Sequence, residues 1–288
     1  MSLDKLETII KLSAEEKKAF WEIVIEDDVR ERNVSRQESF ETMRGMLNAM
    51  HEADLGYDGS LKSASGMAGG DGQKLHDYRC RGEHLLSDFL LCVMEKATKM
   101  GESNACMKRI VAAPTAGSCG VIPAVLLAYM EHKSVEEDRI VEALFVAAGI
   151  GSVIASQASI SGAEGGCQAE IGSASAMAAG AITYLEGGDN EAIVHAATLA
   201  LKNMLGLTCD PVAGLVEVPC IKRNVAGAVN AITSSEMSLA GVRSAIAPDE
   251  VIDSMRRIGK LIPECLRETS REGLAVTVSA ISMINNKL

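Results

Sequence analysis

No stretch of this chain alternates β-branched and polar residues for long enough to build a sheet. It carries helical spacing instead, cut at four places by Gly-rich segments. That pattern predicts a mainly α fold, a helical bundle whose Gly-rich loops converge on one site. Residues 4–49 read as helices, so about 1–50 form an N-terminal helical part of a single domain spanning 1–288. Ser13-Ala14-Glu15-Glu16 and Ser35-Arg36-Gln37-Glu38 both read as helix starts of the capping-box type. After the second, Phe40, Met43, Met46, Leu47 and Met50 follow at helical spacing.

The first break, residues 56–72, is too Gly-rich for a helix and reads as a binding loop. Helical pattern resumes over about 81–100. A second loop at 112–120 leads into an apolar helix to Met130, and another apolar helix covers 135–156. The third loop is 161–167. Small-residue and amphipathic helices follow at 168–185 and 190–205. A fourth irregular segment runs over 206–224, with helices beyond it.

Aromatics make up only 3% of the 288 residues, so core volume must come from Ala, Val, Ile, Leu and 14 Met. The net charge of −11 argues against a nucleic-acid partner, because an acidic surface gains nothing from phosphate neutralisation. The start, Met1-Ser2-Leu3-Asp4-Lys5, lacks the pattern of an export signal. The apolar stretches 110–130 and 140–160 are interrupted by Gly, Ser or Pro and read as buried core, with no membrane span. A cytoplasmic location is expected, and with it no disulfide framework for the eight cysteines.

Three of those cysteines stand apart. Cys167, Cys209 and Cys220 lie in Gly/Pro segments and not on apolar helix faces. Gly-rich backbone exposes amides that offset thiolate charge. The residues themselves leave three readings open: buried free thiols, a zinc site without CxxC or HxxxH spacing, or cluster ligands. Cys119 is spare by this accounting, and Cys265 has the spacing of a core helix residue.

Four longer motifs surround them. They are Lys62-Ser63-Ala64-Ser65-Gly66-Met67-Ala68-Gly69-Gly70-Asp71, Arg109-Ile110-Val111-Ala112-Ala113-Pro114-Thr115-Ala116-Gly117 and Glu164-Gly165-Gly166-Cys167-Gln168-Ala169-Glu170-Ile171-Gly172. The fourth joins Thr208-Cys209-Asp210-Pro211-Val212-Ala213-Gly214 to Val218-Pro219-Cys220-Ile221-Lys222-Arg223-Asn224. In this order they resemble the bacterial iron–sulfur L-serine dehydratases, specifically the α chain of the two-subunit form, over about residues 30–280. The resemblance implies a lyase that converts L-serine to pyruvate and ammonia, in amino-acid degradation and gluconeogenesis. It implies a [4Fe-4S] cluster held by Cys167, Cys209 and Cys220, with one iron free of protein thiolate. It also implies a β-chain partner, since this chain has no counterpart of the family's second portion, and an oligomeric enzyme. Single-chain members can end in a cysteine that reaches the open iron; this chain ends Ile284-Asn285-Asn286-Lys287-Leu288.

Serine carries a carboxylate, and backbone amides of Gly-rich loops suit it. The substrate-binding candidates are Lys62, Ser63, Ser65, Gly66, Met67, Gly69 and Gly70 in the first loop, Thr115, Ala116 and Gly117 in the second, and Asn104. Lys222, Arg223 and Asn224 are expected to support the cluster from its surroundings. Glu164 and Glu170 flank Cys167 as partners for nearby amides or cations. No general base is assigned. His76 is the best placed of the five histidines, and His195 reads as a packed helix residue. A pyridoxal-phosphate lyase using Lys62 as Schiff base, a structural zinc protein and a cluster dehydratase for another hydroxy acid are the competing readings.

Overall fold

The computed structural model describes residues 3–287. Among them are thirteen α-helices and no strand; one isolated bridge joins Cys209 to Arg267. The strand–helix alternation that a pyridoxal-phosphate lyase of the α/β kind requires is therefore missing from the described residues.

Helices α1 (Leu6–Glu16), α2 (Phe20–Arg32) and α3 (Arg36–Leu55) form the N-terminal part. The expected start at Ser35 is real: the Glu38 N–H donates to Ser35 Oγ at 3.2 Å and the Ser35 N–H donates to Glu38 Oε2 at 2.8 Å. The expected start at Ser13 is not. Ser13 is buried near the end of α1, which closes at Lys17 in the left-handed conformation. The chain re-enters a helix at Ala19, whose N–H donates to Glu22 Oε2 at 3.0 Å. Alanine has no oxygen to complete the box.

Helix α4 (Asp71–Cys80) leaves the first loop directly, earlier than the spacing implied. A break at 81–87, with Gly82 at φ +74°, separates it from α5 (Asp88–Ala105), which Ser87 caps. Then follow α6 (Val121–His132), α7 (Glu137–Gln157), the single turn α8 (Gly162–Gly165), a π-turn at Gln168–Gly172, α9 (Ser173–Leu185) and α10 (Asn190–Met204). Helices α11 (Cys220–Leu239), α12 (Pro248–Leu261) and α13 (Val278–Lys287) complete the order.

At the centre lies α9, in which every residue from Ser173 to Tyr184 is buried. Its Ala, Ser and Gly side chains let α6, α7, α10 and α11 close around it. Helix α7 is long and apolar enough to cross a membrane by length and composition, and 67% of that window is buried inside the fold. It packs on α9 from one side and on α2 and α3 from the other, which accounts for its apolar surface.

Candidate active site

The first loop folds back on itself. The Ser63 N–H donates to Ala68 O at 3.0 Å, and Lys62 Nζ donates to Gly69 O at 2.5 Å. Gly69 has φ +120°, and a Cβ there would fall 2.2 Å from Leu61 O, so only glycine closes this turn. Two buried carboxylates hold the loop from outside. Glu102, on α5, accepts from the N–H groups of Asp71 (2.8 Å) and Gly72 (3.0 Å) and from Tyr57 Oη (2.6 Å). It thereby caps α4, where an acid is favoured by the helix dipole. Glu217, from the fourth loop, accepts from Ser63 Oγ at 2.8 Å and Ser65 Oγ at 2.6 Å.

The second loop is tied to two later segments. Thr115 Oγ1 donates to Glu170 Oε1 at 2.8 Å. Buried Asn224 accepts from the Gly120 N–H at 2.8 Å and donates to Gly117 O at 2.7 Å. Asn104 Nδ2 donates to Ala116 O at 3.2 Å, so it braces the loop backbone.

The three thiols are all buried. Cys167 precedes the π-turn, and the Gln168 N–H donates to Leu207 O at 3.0 Å, joining the third loop to the fourth. Cys209 is strapped by residues 266–268: its N–H donates to Leu266 O (2.9 Å) and its O accepts from the Glu268 N–H (2.7 Å). Cys220 is not in a loop, as the sequence suggested; it opens α11, and the irregular segment ends at Pro219. Gly162 leaves room beside these groups. A Cβ there would lie 2.8 Å from Glu170 Oε2 and 3.1 Å from Cys209 Sγ.

Arg223, one turn into α11, donates from Nη1 to Thr208 O and from Nη2 to Asp210 Oδ1, both at 2.8 Å. Asp210 also accepts from the Leu274 N–H at 2.8 Å. The Cys209 thiol donates toward Cys167 and, with Arg223 alongside, holds Cys167 below the ordinary thiol range. The same bond keeps the proton on Cys209 and pushes that thiol up. Burial pushes Cys220 up to about 12. Burial also raises the Glu170 carboxyl, against the opposing bond from Thr115.

Ser63, Ser65, Thr115, Gly117 and the three cysteines therefore meet around loops that share Glu170, Glu217 and Asn224. Gly66, Met67 and Gly70 belong to the first loop, where the Met67 N–H donates to Ser65 Oγ at 3.0 Å. Lys222 pairs with Asp71 at 2.5 Å. None of the histidines bonds to the four loops among the described residues. His76 Nδ1 sits 3.0 Å from Glu95 Oε1, and His195, lowered by burial, receives the Ser244 N–H. Among the described residues, no three His, Cys, Asp or Glu side chains gather tightly enough to chelate one ion. A cavity of about 450 Å³ lies between α12 and residues 158–169, and its walls include none of the three thiols. The sequence reading missed Glu102, Glu217, Asp210 and the 266–274 strap.

Comparison with known proteins identifies relatives of the chain. Residues 15–275 match the family described as Serine dehydratase alpha chain. The probable L-serine dehydratase alpha chain of Bacillus subtilis (strain 168) is 44% identical over 93% of this chain and 90% of its own length. The L-serine dehydratase alpha chain of Peptoniphilus asaccharolyticus is 39% identical over 95% of this chain and 94% of its own. The L-serine dehydratase of Streptomyces coelicolor is 46% identical over 63% of this chain but only 40% of its own length. With the match running across almost all of the helical fold and through all four loops, the chain belongs to the serine dehydratase alpha chain family.

Proposed function

We propose that this chain is the catalytic subunit of an L-serine dehydratase, a lyase that removes water from L-serine to give pyruvate and ammonia. The observation that carries the reading is that buried Cys167 and Cys209 lie in hydrogen-bond contact beside Glu170, which also accepts from Thr115 of the second loop. Relatives named for L-serine support the substrate.

Three soft sulfur donors suit a [4Fe-4S] cluster. The Arg223 guanidinium beside Cys167 offsets negative charge, and Gly162 leaves space at Cys209 Sγ that a side chain would fill. Cys167, Cys209 and Cys220 would hold the cluster. When bound, it supplies Lewis acidity toward the departing hydroxyl, which is otherwise a poor leaving group.

The chain's own residues bind and orient. Among the described residues the N–H groups of Ala64 and Ser65 have no partner, and adjacent amides of this kind receive a carboxylate. Asn224 and Asn104 hold the second loop over α11, which fixes Thr115 and Gly117 against Glu170. Removal of the α-proton and the β-hydroxyl leaves an enamine, which tautomerises to the imine and is hydrolysed. The whole chain acts as one catalytic domain, with a β-chain partner, in an oligomeric enzyme of the cytoplasm, where thiols stay reduced.

Anaerobic reconstitution with iron and sulfide, followed by metal and sulfide analysis and a pyruvate assay on L-serine with and without a β chain, tests this. Cys209→Ala is expected to lose both cluster and turnover. Retained activity in that variant, or zinc in place of iron, refutes the ligand assignment.

A further inference from the structure

Glu217 lies on the fourth loop, three residues before Cys220, and is 6% exposed. Its Oε2 lies within hydrogen-bond distance of two hydroxyls from a segment more than 150 residues earlier. Ser63 is 5% exposed and Ser65 3%. A serine hydroxyl has one proton. The two hydroxyl oxygens are also 3.1 Å apart, but a carboxylate oxygen is the stronger acceptor, so both protons point to Glu217. Each oxygen is then left as an acceptor, and each receives a backbone N–H: Met67 onto Ser65 Oγ at 3.0 Å and Ala68 onto Ser63 Oγ at 3.2 Å. Neither serine keeps a proton for a ligand. One of the three Lys62 Nζ donors goes to Gly69 O. Between Ser63 and Gly66, whose N–H groups go to Ala68 O and Ser63 O, the adjacent N–H groups of Ala64 and Ser65 have no partner among the described residues.

We propose that Glu217 is a positioning residue: it locks the Ser63 and Ser65 hydroxyls so that the Ala64 and Ser65 amides form the carboxylate subsite for the amino-acid substrate. This rests on the serine dehydratase reading. The backbone O of Glu217 also accepts from the Ile221 N–H at 3.1 Å, at the start of the helix that carries Cys220. One residue therefore touches both the loop of the carboxylate subsite and the start of the helix that carries Cys220. Its side chain acts on the first loop, so its loss is expected to fall on substrate binding.

The test compares Glu217→Ala and Glu217→Gln in the full chain, anaerobically reconstituted. Glutamine keeps an oxygen that accepts both hydroxyls; alanine does not. Loss of a buried charge-assisted bond predicts a KM for L-serine raised about tenfold or more in Glu217→Ala, with kcat per cluster within about threefold. Glu217→Gln recovers most of that loss. Hydrogen exchange supplies a readout independent of turnover: the Met67 and Ala68 amides exchange faster in Glu217→Ala and at the wild-type rate in Glu217→Gln. Unchanged exchange in Glu217→Ala overturns the proposal. So does a fall in iron content at constant KM, which puts the residue's role at the thiols, and so does a Glu217→Gln variant as impaired as Glu217→Ala. A wild-type chain that binds the cluster but leaves L-serine untouched overturns the functional reading and the carboxylate role with it, while the exchange data still decide the clamp.

Discussion

Asn224→Ala is the substitution whose cost the geometry defines best. Asn224 is 1% exposed, and its amide makes three bonds: it receives the Gly120 N–H and donates to Gly117 O and to Cys220 O at 3.0 Å. Gly117 and Gly120 are themselves buried. Alanine leaves one N–H and at least one carbonyl without a partner, and a buried polar group stripped of its partner costs about 1–3 kcal/mol. Two such groups give about 3 kcal/mol, a large part of a stability on the order of 5–15 kcal/mol. At roughly 2–4 °C per kcal/mol for chains of this size, the midpoint of thermal unfolding should fall by about 6 °C or more. Urea titration followed by circular dichroism measures the same loss. Asn224→Asp should fall at least as far: it keeps the Gly120 bond but turns a carboxylate oxygen toward two carbonyls. A loss under about 1 kcal/mol in the alanine variant would show that water or a local shift satisfies both groups, and the account of the second loop would be wrong.

Gly162→Ala places a methyl 2.8 Å from Glu170 Oε2 and 3.1 Å from Cys209 Sγ. Overpacking of this kind costs about 1–3 kcal/mol, and iron loading after reconstitution should fall to less than about half that of wild type; normal loading would mean the thiol pocket relaxes freely. Asp71 is held at about 2, first by Lys222 and then by Lys74, against an ordinary 3.8. Its folded-state value is depressed, so its contribution is complete above about pH 4 and is lost as the pH falls through about 2. Asp71→Asn should therefore flatten the acid limb of the stability curve between pH 4 and 2, and an unchanged slope there would count against the Lys222 pair.

Local signals were legible where one residue type has one physical use. Clusters of Gly marked the loops, because no helix tolerates them. Ser35 with Glu38 marked a helix start because both side chains reach the backbone there. The same pattern at Ser13 misled, since a serine three residues from a helix end can simply be packed; among the described residues its Oγ is buried without a partner. The start of α11 was placed late. Proline ahead of a helix is a start signal, and Pro219 stood directly before Cys220, but the irregular run of 206–218 masked it. The three cysteines were recognisable through their motifs. Glu102, near the end of a helix, and Glu217 and Asp210, in a loop, were not, because an acid at such places reads as solvated unless its partners are known, and those partners lie far along the chain.

The buried acids explain how loops from distant parts of the sequence share one site. A carboxylate leaves water only at a cost of several kcal/mol on the order of magnitude, unless enough donors surround it. Glu102 has three donors, Glu217 two, and Asp210 a guanidinium and a peptide N–H. Donor and acceptor arrive from different segments in each case: α5 to the start of α4, the fourth loop to the first, the C-terminal strap to the Cys209 segment. The Glu217 and Asp210 bonds join segments 152–154 and 64 residues apart in the chain. Once formed, breaking one strands a buried charge and so weakens the loop on either side of it. The helical bundle thus builds the frame from small apolar residues, and the loops add order to the site only as a connected set.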